Sequence, residues 1–138
     1  MFDQTVTVHF KDNTIDSDQL QRDTRDIIDE VNQRIKSDDV EIEAKRKKVT
    51  GSEIEKCDCS IQFANIIIEY SYIALPFLLE YLVSFMIKRQ DENAKLIVDN
   101  EKNKIEITST LMIIDEERQV VLTGLSEKER TEVLKKIL

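Results

Sequence analysis

The sequence predicts an α+β fold in which a mostly antiparallel sheet is packed by one long apolar helix and two amphipathic helices. Three patterns support this prediction: a period-two alternation near the start, apolar residues at helical spacing in two segments, and short apolar runs between polar turns after residue 95. The predicted order is β-α-β-α-β-β-β-α. A chain of 138 residues matches one hydrophobic core, so we expect a single domain over residues 1–138.

The first third of the chain predicts a strand, a helix and a strand. Apolar residues alternate with polar ones from Thr5 to Phe10, which indicates a half-buried strand whose polar face carries His9. Capping residues at 16–18 precede an amphipathic helix over about 18–35. A second alternation predicts a strand over 39–46, which leads into the basic cluster 45–48 and a turn at Thr50-Gly51-Ser52.

The segment from Ile61 to Ile87 is almost wholly apolar, and we interpret it as one long helix. At 100° per residue its polar side chains share one narrow stripe, which aligns Glu69 with Glu80. Pro76 predicts either a kink or a break into two shorter helices. Two carboxylates interrupt the segment, so a resident membrane span is not expected. Three helical turns, roughly 16 Å, would separate them, too far for a catalytic pair.

The last third predicts a three-stranded antiparallel meander and a helix. The polar stretch 99–104 separates two apolar runs as a hairpin turn would, and a second polar break, 115–118, follows the continuous apolar run Leu111 to Ile114. Ser126 and Glu129 have capping-box spacing, which predicts a final helix from Ser126 to Ile137.

Composition excludes several kinds of function. The formal charge of -8 argues against binding of nucleic-acid phosphates. Cys57, Cys59 and His9 are too few for a zinc site. The two cysteines have one residue between them and cannot easily close a disulfide, which indicates a reducing compartment. Two isolated glycines provide no phosphate loop, and no secretory signal is recognisable. We therefore expect a cytoplasmic protein that is not an enzyme and uses no cofactor or metal.

The candidate interaction surface combines two groups of side chains. A helix that is apolar on most sides has more apolar surface than a small sheet covers. The acidic residues of the first helix have basic neighbours, so an ion-paired, solvated face is the simpler interpretation and a docking surface the alternative. The candidate residues are Tyr70, Tyr72, Phe77, Tyr81, Phe85, Asp23, Asp26 and Glu30.

The chain also resembles a known family in the order of its elements. The resemblance rests on the apolar segment that ends in Lys88-Arg89, on Leu96-Ile97-Val98, on the strand at 105–108 and on Leu122-Thr123-Gly124-Leu125-Ser126 before a terminal helix. In these features the chain is similar to the effector-associated constant component family of bacterial conflict systems. The chain departs from that family in three ways. It lacks glycines before the apolar segment, it has bulky aromatic residues in place of small ones in that region, and it has an extra predicted strand around 111–122.

The resemblance implies a non-catalytic adaptor that binds another protein within a defence-type system. The apolar segment would serve as its contact surface, and the partner could be a second copy of the chain. Two alternatives remain open at the level of sequence. One is a phage or mobile-element inhibitor whose acidic surface occupies a basic site on a host protein. The other is an effector that inserts the apolar segment into a membrane under certain conditions.

Overall fold

A seven-stranded antiparallel sheet forms the centre of the computed structural model, which describes residues 3–35, 40–46, 63–100 and 102–137. The strands lie in the order β2-β3-β1-β4-β5-β6-β7. Their bounds are β1 Gln4–Asp12, β2 Ile42–Arg46, β3 Phe63–Tyr70, β4 Ala94–Asp99, β5 Lys104–Ile107, β6 Leu111–Ile114 and β7 Arg118–Val121. The helices are α1 Ser17–Glu30, α2 Leu75–Arg89 and α3 Glu127–Ile137. This arrangement confirms the α+β, single-sheet fold class.

The core lies between one face of the sheet and the helices. On β1, Val6, Val8 and Phe10 are buried, whereas Thr7 and His9 on the alternate positions are only partly buried. Period-two alternation therefore directs one side of each central strand towards the helices. On the opposite face the side chains of His9 and Asn65, which are register partners, are hydrogen bonded.

The interpretation of 61–87 as one long helix, continuous or broken at Pro76, is wrong. Phe63–Tyr70 is strand β3, a short 3₁₀ turn at Tyr72–Ala74 follows, and the helix begins only at Leu75. The run of three isoleucines at 66–68 explains the difference. β-Branched side chains favour a strand, and β3 lies between β1 and β2 rather than at an edge, so even its alternate positions are partly covered.

This correction also removes the stripe that aligned Glu69 with Glu80. Glu69 lies on β3, where its carboxylate is 3.1 Å from the ammonium of Lys45 on the neighbouring strand. Glu80 lies on α2. Pro76 is in the first turn of α2 and does not kink the helix, because a first-turn residue has no intrahelical partner for its amide.

The other predicted helices and strands are present, with small differences in their bounds or number. The Asp16 carboxylate accepts a hydrogen bond from the Gln19 amide, as expected of a helix cap, and α1 continues as a π-helical turn over Val31–Ile35. Ser126 and Glu129 bond each other's amides reciprocally, which confirms the capping box before α3. The predicted three-stranded meander has four strands, because the polar turn at 108–110 separates β5 from β6.

Several sequence predictions lie outside the described residues. These include Cys57 and Cys59, the turn at 50–52, and the part of the basic cluster beyond Arg46. In the segments that are described, no helix combines the length and hydrophobicity that crossing a membrane requires.

The two edges of the sheet differ in how their backbone groups are satisfied. At β2, the side-chain amide of Asn32 accepts from the Ala44 amide at 2.8 Å and donates to the Ala44 carbonyl at 3.0 Å. One side chain thus occupies the place of a further strand, which is a recognised way to protect an exposed edge. At the other edge, the β7 residue Val121 is 65% exposed.

Candidate functional site: a groove on the outer face of the central helix

A groove of about 1000 Å³ lies above the outer face of α2. The end of α1 with its π-helical extension forms one wall, and α3 forms the other. Its lining residues are Glu30, Arg34, Ile35, Val40, Phe77, Glu80, Tyr81, Ser84, Phe85, Lys88, Arg89, Glu127 and Thr131. We call this feature the α2 groove.

Helical spacing explains why α2 forms the floor of the groove. Phe77, Tyr81 and Phe85 follow one another at intervals of four residues, so they lie in one row along the helix. The side chains on the opposite face of α2 pack against the sheet and are fully buried; they are Leu78, Leu79, Leu82, Val83 and Met86. The inner face of α2 therefore forms part of the core. The outer row of aromatic side chains is partly accessible, and Phe77 is 49% exposed.

A polar network crosses the groove floor between α2 and α3. Arg130 donates from Nε and Nη2 to Glu80 Oε1, at 3.3 and 3.1 Å, and from Nη1 to the Leu125 carbonyl. Ser84 donates to the same carboxylate oxygen at 3.0 Å. Glu80 is only 8% exposed, yet its other oxygen, Oε2, has no hydrogen-bond partner within the described part of the chain.

A second buried polar atom in the groove is also unpaired. The Tyr81 hydroxyl makes no hydrogen bond to any described residue. Burial and the nearby carboxylate of Glu30 raise the pKa of this hydroxyl, so it stays protonated and can donate at neutral pH. Unpaired buried polar groups are rare in folded proteins and costly, of the order of 1–3 kcal/mol each, because they lose water without gaining a partner.

The basic residues that line the groove lie at different places along α2. Arg34 forms an exposed ion pair with Glu30 at 3.7 Å, whereas Lys88 forms no ion pair with any residue that the structure describes. Arg89 forms ion pairs with two buried carboxylates, those of Asp12 at 3.1 Å and Asp23 at 2.7 Å. The groove thus has Glu80 and Glu127 on the α3 side, the Glu30–Arg34 ion pair on the α1 side near Tyr81, and Lys88 in the last turn of α2.

The structure brings together half of the surface residues expected from the sequence. Phe77, Tyr81, Phe85 and Glu30 all line the α2 groove. Asp26 is exposed on α1 but does not line it.

The remaining candidates are placed elsewhere. Tyr70 is 1% exposed on the core face of β3, so it is not part of an accessible surface. It lines, together with the exposed Tyr72, a separate cavity of about 280 Å³. Asp23 is a buried partner of Arg89 and also accepts from Gln19 at 2.8 Å, so it is structural.

Sequence reasoning missed several charged residues that line the groove. Arg34, Lys88 and Glu127 belong to three different helices, and no pattern along the chain shows that they meet. The signal that was present is the four-residue spacing of Phe77, Tyr81 and Phe85 together with Lys88 at the next turn. Interpreting 61–87 as one helix hid that spacing, because the isoleucines made most sides of the helix look apolar.

The site offers binding groups rather than a recognisable reaction centre. None of the described ranges contains three His, Cys, Asp or Glu side chains placed to hold a metal ion. His9 lies on β1, on the opposite face of the sheet from the helices and the groove. Comparisons of the chain with protein-family models, with curated proteins and with solved structures give no match.

Proposed function

We propose that this chain is a non-catalytic interaction module of the cytoplasm that binds another protein through the α2 groove. The observation that carries the proposal is the row of Phe77, Tyr81 and Phe85, left partly accessible between two helical walls. Aromatic side chains in a concave setting are typical of the residues that contribute most to protein interfaces.

The chemistry of the groove favours binding over catalysis. Its acidic side chains are Glu30, Glu80 and Glu127, and Glu80 is already bonded to Arg130 and Ser84. General acid-base catalysis between carboxylates needs a pair around the reacting bond. Glu30 stands on the opposite wall from Glu127 and is ion paired with Arg34, which leaves Glu127 for an ion pair with a partner.

The resemblance to the effector-associated constant component family supports an adaptor within a bacterial defence system. The resemblance relied in part on a long apolar helix, and the structure has a strand followed by a shorter helix in that segment. What remains is the element that the adaptor hypothesis uses, an apolar helix ending in Lys88-Arg89 with an uncovered face. The high negative charge likewise favours a protein partner over a nucleic acid.

The test compares two substitutions that each place a charge on an exposed apolar position. Phe77→Asp lies in the groove, and Val121→Asp, on the far edge strand, is the matched control. Tagged protein is recovered from its own cells, and co-purifying proteins are quantified by mass spectrometry. We expect the partner to be retained by the wild type and Val121→Asp and lost at least tenfold by Phe77→Asp.

Self-association is measured in the same proteins by size-exclusion chromatography with light scattering. If a second copy occupies the groove, the wild type is an oligomer and Phe77→Asp is a monomer. Equal recovery of all partners by Phe77→Asp and Val121→Asp, with an oligomeric state that Phe77 does not influence, would rule out the α2 groove as the binding surface.

A further inference from the structure

The cavity of about 280 Å³ that Tyr70 lines has a buried, mostly apolar floor. The floor is formed by Tyr70, Ile105 and Ile114, which are each 3% exposed or less and belong to the core face of the sheet. Leu75, the first residue of α2, also lines the space, so the sheet and the start of α2 both contribute to it. We call this feature the Tyr70 cavity. It shares no lining residue with the α2 groove, so the two are separate features.

The rim of the Tyr70 cavity is basic. Lys102 and Arg118 line the cavity and are exposed, as is Tyr72 beside them. Neither basic side chain forms an ion pair within the segments that the structure describes. None of the ten described residues that line the cavity is acidic, although the chain has 28 acidic and 20 basic side chains. The charge at this rim is therefore opposite to that of the protein as a whole.

The position of Arg118 in the sheet associates its charge with the buried floor. Strand register places Val98, Ile105, Ile114 and Arg118 in one row across β4, β5, β6 and β7. Residues directly opposite each other on neighbouring strands project from the same face of a sheet. Arg118 therefore continues, on the helix side, a row whose other three members are buried and apolar. A charge on an edge strand also discourages strand pairing, but that role does not account for the second cation, Lys102, at the same cavity.

The turn that carries Lys102 is held by its own hydrogen bonds. Asn100 Oδ1 accepts from the amide of Lys102 at 2.8 Å and from the amide of Asn103 at 2.6 Å. The Asn100 amide in turn donates to the Asn103 carbonyl at 3.0 Å. The turn between β4 and β5 thus has a defined backbone, which reduces the entropy lost when a ligand binds beside it.

We infer that the Tyr70 cavity binds a small organic anion, with the apolar part of the anion against the buried floor and its carboxylate or phosphate at the rim beside Lys102 and Arg118. A buried floor contributes affinity through removal of apolar surface from water, and ammonium and guanidinium groups are the usual partners of such anions.

The volume limits the size of the anion. About 280 Å³ corresponds to about nine water molecules at about 30 Å³ each, and it lies just below the range of about 300–1000 Å³ that is typical of sites for drug-sized ligands. A single ring or short chain with one anionic group matches this space, whereas a folded peptide does not. The inference concerns a second site and goes beyond the proposed role of the α2 groove.

The experiment titrates the protein with three probes and follows backbone amide signals by NMR. The probes are phenylacetate, its neutral analogue phenylacetamide, and inorganic phosphate. We expect phenylacetate to shift the amide signals of Lys102, Asn103 and Arg118 with a dissociation constant of about 1 mM or tighter. Phenylacetamide should bind at least about fivefold more weakly because it lacks the charge. Phosphate should bind at least about tenfold more weakly because it cannot use the apolar floor.

Three exposed positions provide the variants and their control. Lys102→Gln and Arg118→Gln should each weaken phenylacetate about two- to fivefold, the range expected for one cation at a solvent-exposed rim. Lys135→Gln removes one positive charge from α3, outside the cavity, and should leave the affinity unchanged. The affinity for phenylacetamide should be the same in all four proteins, so a variant that weakens both probes equally would reveal a structural change rather than a lost charge contact.

Several results would overturn the inference. They are the absence of amide shifts at the cavity up to about 10 mM phenylacetate, equal affinities for phenylacetate and either other probe, and an effect of Lys135→Gln as large as that of the rim variants. Phe77→Asp should bind phenylacetate like the wild type, because Phe77 does not line the Tyr70 cavity. A failure of the α2 groove as a partner surface and a failure of the anion site are therefore observed separately.

Discussion

Arg89, the last residue of α2, forms a 3.1 Å ion pair with Asp12, the last residue of β1, whose side chain is fully buried. The same guanidinium lies 2.7 Å from Asp23 on α1 and 5.0 Å above the ring of Phe10. One side chain therefore joins a helix end, a strand end and the first helix. This junction fixes the C-terminal end of α2 in position relative to the sheet.

Removing the guanidinium should strongly destabilise the fold. Arg89→Ala leaves Asp12 and Asp23 buried without their cation, and breaking a buried pair in this way costs about 3–5 kcal/mol. Lys95→Ala is the control, because its ion pair with Glu106 is solvent-exposed and should contribute less than about 1 kcal/mol. Urea unfolding followed by circular dichroism measures both. Equal losses in the two variants would contradict a structural role for Arg89.

The pH dependence of stability should show the contribution of Asp12. Burial acts to raise the pKa of this carboxyl from 3.8, but the interaction with the neighbouring Asp91 and the hydrogen bonds from Thr14 and Arg89 outweigh burial and lower the pKa to about 2. A pKa that is lower in the folded state stabilises the fold above the ordinary value, and this contribution is lost as the pH falls from about 4 to about 2.

The variant that isolates this contribution is Asp12→Asn. It should be less stable than the wild type at pH 7, because Arg89 loses one of its carboxylates, and it should lose less stability than the wild type between pH 4 and pH 2. Urea midpoints at several pH values measure the difference. Parallel pH profiles for the two proteins would show that Asp12 is not the group responsible.

The fold class followed from local patterns, but one element needed information that the chain does not display locally. Periodicity placed β1, α1 and the capped α3 correctly, because each has one buried and one exposed face. The segment Phe63–Tyr70 is a strand between β1 and β2, and three consecutive isoleucines at 66–68 interrupt the alternation that would have identified it. Only the β-branched run 66–68 pointed to a strand.

The aromatic part of the candidate site could be predicted from the sequence, but its polar part could not. The aromatic row on α2 is visible in the sequence because it lies on a single helix. The unpaired oxygen of Glu80 was not, since it depends on Arg130, which is fifty residues away and reaches the other oxygen. Contacts between elements that are far apart in the sequence determine which polar atoms lack a hydrogen-bond partner. The spacing of residues along the sequence does not predict such contacts.

Protection of the β2 edge should depend on Asn32. Asn32→Ala removes two hydrogen bonds to Ala44 and leaves an edge amide and carbonyl without partners, which should cost about 1–3 kcal/mol. Hydrogen exchange of the Ala44 amide should accelerate, and the exposed edge should promote aggregation at high protein concentration. Gln33→Ala, at the exposed neighbouring position, is the control. Unchanged exchange at Ala44 in the Asn32 variant would contradict this assignment.

Phe77, on the outer face of α2, should contribute little to stability compared with the inner face. Phe77 is 49% exposed, so Phe77→Ala should cost no more than about 1 kcal/mol, whereas Leu82→Ala on the fully buried face should cost about 2–5 kcal/mol. Thermal and urea unfolding of the two variants measure this contrast directly. A loss of stability in Phe77→Ala as large as that in Leu82→Ala would mean that the aromatic row is needed for folding. A small loss, together with the loss of the partner in Phe77→Asp, would separate binding from folding at this position.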